Sequence, residues 1–476
     1  MRRRRPLPQL ALAALLLAAC QQPHQCNTSC EAGLFSSLDP PAALVEAEAR
    51  AQSSIAEREP VAEALSSAEA LAAFDQAWQT IHDTHFDPSF NGVDWNALQT
   101  ELRPRAEAAR TREELRAILA DMLGRLGQSH FAVIPSDALP EAPGAHDQSG
   151  GLGFDVRLRE GRLLVTSLEP GGAASAAGVK PGWCVRRIGS FDVDESLARM
   201  REAEQLGKRR LAFALWTAAL GHILGPVGGR ETVAFLDGED HSVELALARR
   251  ARDVTAHEVG PTLPTFYLAF HSDVIARGGK KIGFLSFSNW FLPVMKPLDA
   301  AVERLRACDG MVIDLRGNTG GAAAMTMGIA GHFFGESKKL GVMLMRDSTF
   351  NILAIPRRVN AAGELVEPFA GPLAILVDET TGSASEVFAG GMQALGRART
   401  FGETTAGAVL PAMTTRLPNG DTLLHALGDF ETSTGVRLEG RGVIPDQSVP
   451  LARTDLLAGR DAKLEAALEW IGARSR

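Results

Sequence analysis

Three short stretches hold residue types that could perform chemistry together. The first is Ser383, at the start of an apolar-striped segment after Thr380-Thr381-Gly382. A serine at the mouth of a helix meets free backbone N–H groups and the positive end of the helix dipole. That is a place where an oxyanion on an attacked carbonyl is stabilised. The same Ser383-Ala384-Ser385-Glu386 also reads as a capping box that only starts a helix, with Ser385 and Glu386 serving the cap. The second stretch is Ser129-His130, where a helical pattern stops and a strand begins; a histidine there is a base or a satisfied structural residue. The third is the run Glu439-Gly440-Arg441-Gly442-Val443-Ile444-Pro445-Asp446. A nucleophilic serine needs a base, and the base an orienting group.

These residues need a frame. Leu373–Val377 is a short unbroken apolar run, the pattern of a strand covered on both faces. The segment after Ser383 carries Val387, Phe388, Met392 and Leu395 at helical spacing. A second buried strand, Gly310–Leu315, ends in Asp314-Leu315-Arg316-Gly317-Asn318-Thr319-Gly320-Gly321. Its glycines let the backbone approach a ligand closely, and the lack of a following Lys-Ser/Thr argues against a nucleotide loop. Lys281–Phe287 reads as a strand, Pro297–Arg306 and Ala462–Ile471 as helices, and Thr414–Leu424 as a strand pair. Ala72–Val133 is mostly helical: Phe74, Trp78 and Ile81 share a face, and a capping box opens a helix at Thr111. Arg209–Leu224 is a long apolar helix, read as core with a lid over the site as the alternative.

At 476 residues the chain has room for two or three domains, and its net charge of -8 argues against a nucleic-acid binder. Arg2–Arg5 and the apolar Leu10–Ala19 form a targeting segment, and no second long apolar run follows it. Cys26 and Cys30 are close enough to pair in an oxidising compartment; Cys184 and Cys308 have the surroundings of inert thiols. His82 and His85 form an H-x-x-H pair without a further ligand cluster, so no metal site is assigned.

Leu17-Ala18-Ala19-Cys20 resembles a bacterial lipobox, which implies lipidation at Cys20 and, with Gln21 following, the periplasmic face of the outer membrane. Gly151-Leu152-Gly153-Phe154, followed by the EPGGAASAAGVKPG run, resembles a PDZ domain, whose loop holds a peptide C-terminal carboxylate. Trp183 departs from that pattern, standing where the family has Asp. The ordered set DLRGNTGG, TGSASEVFAGGMQ, GETTAG and E-G-x-G-V-x-P-D resembles the tail-specific (C-terminal processing) serine peptidase family. In its Ser-Lys branch a lysine occupies the place of Ala408, so the resemblance points to the tricorn-core-like branch with a Ser-His-Ser-Glu tetrad.

The resemblance implies a ClpP/crotonase-like α/β catalytic domain with an N-terminal helical subdomain and an inserted PDZ-like β-rich domain. The expected boundaries are a signal peptide 1–20, a tether 21–71, a helical subdomain 72–145, a PDZ-like domain 146–255 and the peptidase domain 262–476. Ser383 is then the nucleophile, His130 the base, and Ser129 and Glu439 its orienting groups. Ala384 and either Gly320 or Gly321 supply the oxyanion hole. No cofactor is implied, the partners are polypeptides with free C-terminal tails, and a membrane-anchored peptidase results. An inactive lipid-anchored peptide-binding scaffold and an esterase are the alternatives.

Overall fold

The computed structural model describes residues 64–136, 147–202, 208–259, 263, 265–360 and 362–474. The expected signal peptide with Cys20, Cys26 and Cys30, and most of the expected tether, lie outside the described residues.

A six-stranded sheet carries the molecule's α/β part. Its order is Phe270–Arg277, Lys280–Phe287, Gly310–Asp314, Leu373–Val377, Arg399–Gly402, Gln447–Ser448. The first pair is antiparallel and the remaining pairs are parallel. Ile313, Leu373, Ile375 and Val377 pack on one face against Val387, Phe388 and Met392 of the helix Ala384–Ala394. Val312, Ala374, Leu376 and Phe401 pack on the other against Ala467, Leu468 and Ile471 of the last helix, Ala462–Gly472. Both faces are therefore apolar, which is why Leu373–Val377 shows no alternation.

The helix expected to begin at Pro297 begins at Leu292 instead and runs to Leu305, with Pro297 inside it. Pro293 stands in its first turn, where a missing N–H costs nothing.

The N-terminal helices Ser67–Thr84, Trp95–Ala108 and Arg112–Gly124 form a separate core around Phe74, Ile81, Leu102, Leu115 and Leu119. The first starts at Ser67, inside the stretch expected as tether, because Ser66 and Glu69 form a capping box there. At the third helix Thr111 caps the Glu114 N–H, but the Glu114 carboxylate accepts from the N–H of Arg110, not of Thr111. The strand Ala132–Ile134 then pairs with Thr422–Ala426, and Arg116 forms a two-point ion pair with buried Asp421. Ser129-His130 is thus held between the helical bundle and the peptidase sheet region.

The segment 150–251 is β-rich. Antiparallel strands Phe154–Arg159, Arg162–Leu168, Cys184–Ile188, Arg230–Leu236 and Ser242–Ala248 follow one another in the sheet. The helix Lys208–Ile223 buries Leu215, Ala218, Ala219 and Ile223 in this core, beside Val156, Val165 and Phe235. Core packing is therefore its main role. Trp183 packs at the edge of the same cluster, edge-on to Phe235. Arg157 joins the two domains, donating 2.8 Å to Asp378 and 2.7 Å to Asp155. Arg453, near the end of the expected peptidase domain, donates to the carbonyls of Gly182 and Asp237 in the β-rich domain.

Ile375, fully buried between Ile313 and Thr400, tests the sheet core. Ile375→Ala is expected to destabilise the protein by about 2–5 kcal/mol, seen as a lowered midpoint in urea unfolding followed by tryptophan fluorescence.

Candidate active site

The strand Leu373–Val377 ends at Asp378, whose carboxylate shapes the turn that follows. Asp378 Oδ1 accepts from the Thr380 N–H at 3.0 Å and its hydroxyl at 2.7 Å, and the Thr381 hydroxyl donates to the Leu315 carbonyl at 2.9 Å. Burial favours protonation of Asp378, but the Arg157 guanidinium beside it holds the carboxyl well below the usual carboxylate range. The turn delivers Ser383 with φ 54° and ψ -119° at the N-cap of Ala384–Ala394. A non-glycine residue in that region is strained by on the order of 1–3 kcal/mol and persists only where its surroundings hold it. His130, with φ 63°, shares this property.

What holds Ser383 is the segment 405–409. The Ser383 N–H donates to the Ala408 carbonyl at 2.8 Å and to Glu386 Oε2 at 3.1 Å. The buried Glu386 carboxylate also accepts from the Thr405 hydroxyl, from the Gly407 N–H at 2.8 Å and from the Ala408 N–H at 2.9 Å. Burial pushes its pKa up to about 7, against these donors, which favour the charged form. Glu386 therefore does more than close the capping box that the sequence suggested.

The next peptide unit serves the other half of the site. The Val409 N–H donates to Glu439 Oε2 at 3.1 Å. The same oxygen accepts from Ser129 Oγ at 2.9 Å, and Oε1 accepts from the Ser129 N–H at 2.7 Å. Ser129 Oγ lies 2.6 Å from His130 Nδ1. With Oγ donating to the carboxylate, it accepts from Nδ1–H, which leaves Nε2 as the basic nitrogen. That Nε2 is buried and has no hydrogen-bond partner among the described residues. Burial pushes the His130 imidazole down to about 3, so the ring is neutral at neutral pH. Burial also raises the Glu439 carboxyl, while the Ser129 and Val409 donors and the charge of Arg210 oppose that shift. Ser383 Oγ and His130 Nε2 make no hydrogen bond with each other here; such contacts often tighten only once substrate is bound.

The glycine-rich turn lies against Ser383. A Cβ at Gly320 would come within 2.5 Å of Ser383 Cβ and 3.0 Å of the Ala384 nitrogen. One at Gly321 would meet the Trp290 carbonyl oxygen at 2.6 Å. The Gly320 N–H is already used, donating to Asn318 Oδ1 at 3.0 Å. Among the described residues the N–H groups of Gly321 and Ala384 have no acceptor. Of the two glycines left open by the sequence, Gly321 is thus the one whose N–H is free among the described residues.

Sequence reasoning missed Arg209 and Arg210, at the N-terminal end of the helix Lys208–Ile223. Arg209 donates to the carbonyls of Thr405, Gly440 and Arg441, each at 2.7 Å. Arg210 donates to the Gly127 carbonyl at 3.1 Å, two residues before Ser129. The β-rich domain thus touches each of the loops that carry Glu386's donors, Glu439 and His130. No sequence signal marks a cation whose partners are backbone carbonyls. His85 is a further support, buried with Nε2 2.9 Å from Gln128 Oε1, so this half of the H-x-x-H pair braces the same loop.

The predicted peptide-binding loop Gly151-Leu152-Gly153-Phe154 is buried in the β-rich domain. Its Leu152 N–H donates to the Ile223 carbonyl at 3.2 Å, and the Gly153 carbonyl accepts from the Glu169 N–H at 3.0 Å. It is therefore not an open carboxylate cradle in this structure.

The sequence matches peptidase family S41 over residues 281–449 and the tricorn protease C1 domain over residues 66–124. It is 24% identical over 410 residues to the carboxyl-terminal-processing protease of Synechocystis sp., covering 83% of this chain and 85% of that one. To the chloroplastic carboxyl-terminal-processing peptidase 2 of Arabidopsis thaliana it is 25% identical, covering 79% and 68%. To tricorn protease homolog 1 of Streptomyces coelicolor it is 24% identical, covering 83% of this chain but 34% of that protein. The photosystem II D1 C-terminal processing protease shares the fold with a TM-score of 0.54 at 21% identity, over 85% of this chain and 97% of that one. Mature CPAF does so with a TM-score of 0.55 at 16% identity, over 85% and 96%. Fold and matched domains together define a serine peptidase. The chain carries a peptidase family S41 domain, preceded by a tricorn protease C1 domain.

Because a methyl group at Gly320 collides with Ser383, Gly320→Ala is expected to slow phosphonylation of Ser383 by about 100-fold or more. Phosphonylation by a fluorophosphonate, read by intact-protein mass spectrometry, measures this. The circular dichroism spectrum is expected to stay unchanged.

Proposed function

We propose that this peptidase hydrolyses peptide bonds of unfolded or tail-presented polypeptides through an acyl-enzyme. Ser383 Oγ attacks the scissile carbonyl, and His130 Nε2 takes its proton. The oxyanion forms against the N–H groups of Ala384 and Gly321. His130 then returns the proton to the leaving amine, and a water repeats the sequence to release the acid. Ser129 relays the orienting effect of Glu439 to Nδ1, fixing the tautomer that leaves Nε2 basic. The observation that carries this reading is the continuous Glu439–Ser129–His130 chain ending in an unpartnered Nε2. Ala408, standing where a dyad lysine would be, leaves no alternative base on that segment.

The β-rich domain is read as PDZ-like and as the place that presents a substrate's C-terminal tail. Its support is the GLGF motif next to the edge strand Phe154–Arg159, with the helix Lys208–Ile223 packed along it. A tail seated in that loop has to displace the Leu152–Ile223 hydrogen bond. The lipobox-like sequence supports an anchor at Cys20, which places the enzyme in the bacterial cell envelope, at the periplasmic face of the outer membrane. Its substrates are then extended envelope polypeptides.

Full-length protein in detergent, incubated with reduced, unfolded casein, tests the catalytic assignment. Wild type is expected to cleave it, and Ser383→Ala to abolish cleavage. His130→Ala is expected to lower the rate by about 10³-fold or more, because the residual activity without a base comes from binding and the oxyanion hole. Cleavage that survives Ser383→Ala contradicts the assignment, and turnover of simple esters without casein cleavage points to an esterase.

A further inference from the structure

Glu386 is a buried acid to which the mechanism above gives no part. It sits in the first turn of the nucleophile helix, yet its strongest partners lie about twenty residues away in sequence. Its two oxygens take the Thr405 hydroxyl and the N–H groups of Gly407, Ala408 and Ser383. Every one of these groups donates, so the arrangement is matched to a carboxylate with no proton of its own. The adjoining N–H, of Val409, goes to the other buried carboxylate, Glu439. Three consecutive backbone N–H groups are thus shared between two buried acids, and the Ala408 carbonyl between them receives the Ser383 N–H.

We propose that Glu386 is a positioning residue for the reaction, whose ionised carboxylate holds Ser383 and segment 405–409 in the reactive arrangement and whose protonation switches the site off. This rests on the reading of Ser383 as nucleophile. A protonated Glu386 turns one acceptor into a donor facing other donors. The Thr405 and Ala408 contacts cannot then all be kept, and with them goes the support for the strained Ser383 backbone. The loss passes on to Val409 and hence to the Glu439 end of the relay.

The charged surroundings of Glu386 favour such a switch in the neutral range. Glu439 opposes its ionisation across the segment, and burial does so more strongly, which brings its pKa up to about 7. Arg209 reaches the same peptide units through the Thr405 and Arg441 carbonyls. Ser383, Thr405, Gly407 and Ala408 contribute uncharged donors only. His130, pushed down to about 3 by its own burial, is already neutral in this range. The acid limb of the pH profile is therefore assigned to Glu386 and not to the histidine.

The test is the pH profile of Ser383 phosphonylation by a fluorophosphonate from pH 5 to 9, on full-length wild type, Glu386→Gln and Thr405→Val. Wild type is expected to gain reactivity through about pH 7. Glu386→Gln, which sets an amide against the same donors, is expected to be about 100-fold slower and to lose the limb. Thr405→Val removes one donor from the charged form, raises the pKa of Glu386 and moves the limb to higher pH. That shift decides the matter even if Glu386→Gln does not fold, since a merely structural Glu386 gives no moving limb. A limb that stays in place in Thr405→Val, or that persists in folded Glu386→Gln, assigns it to another group and overturns the inference alone. A wild type whose Ser383 is not labelled at any pH overturns the nucleophile reading and this inference with it.

Discussion

Two buried carboxylates, Glu386 and Glu439, gripping neighbouring N–H groups of one backbone segment, are the constraint on which the site depends. Among the described residues neither Glu386 nor Glu439 has a guanidinium or ammonium on its oxygens; both are satisfied by N–H and O–H donors. A buried charge without such donors costs several kcal/mol, so the backbone of 405–409 is obliged to keep its N–H groups turned toward these acids. That obligation fixes the Ala408 carbonyl, which in turn fixes the Ser383 backbone. Segment 405–409 is thus a piece of main chain acting as a strut.

The strut is braced from outside the peptidase domain. Arg209 ties its Thr405 end to the Gly440–Arg441 turn, and Arg210 ties the Gly127 carbonyl to the same helix. The middle of that helix packs in the core of the β-rich domain, where Trp216 donates to Asp155, the neighbour of the GLGF loop. Arg157 extends the connection to Asp378 and so to the turn that delivers Ser383. The reactive geometry therefore depends on the packing of both domains as well as on the sheet beneath it.

Much of this could be read from the sequence because it is encoded locally. The unbroken Leu373–Val377 run, the helix opening at Ser383 and the cap at Thr111 are each signalled within a few residues, and all three stand in the structure. The four candidate residues were found by their order along the chain, and the structure brings Ser129, His130 and Glu439 into one hydrogen-bonded chain. What escaped is non-local. Glu386 matched a local capping pattern that concealed its partners at 405–408. Arg209 and Arg210 flanked an apolar stripe that drew attention to the packing face. Gly320 and Gly321 are alike as residues, and only the Asn318 side chain, which takes one of their N–H groups, separates them.

The central claim is that Glu386 and Glu439 act through one shared segment. A double-mutant cycle on the rate of Ser383 phosphonylation, with Glu386→Gln, Glu439→Gln and both together, measures it directly. If the segment works as a unit, losing either grip releases it, and the double variant should be slower than the worse single by no more than about threefold, a clear departure from additivity. Losses that simply multiply would mean that the two acids act independently, and would contradict the account.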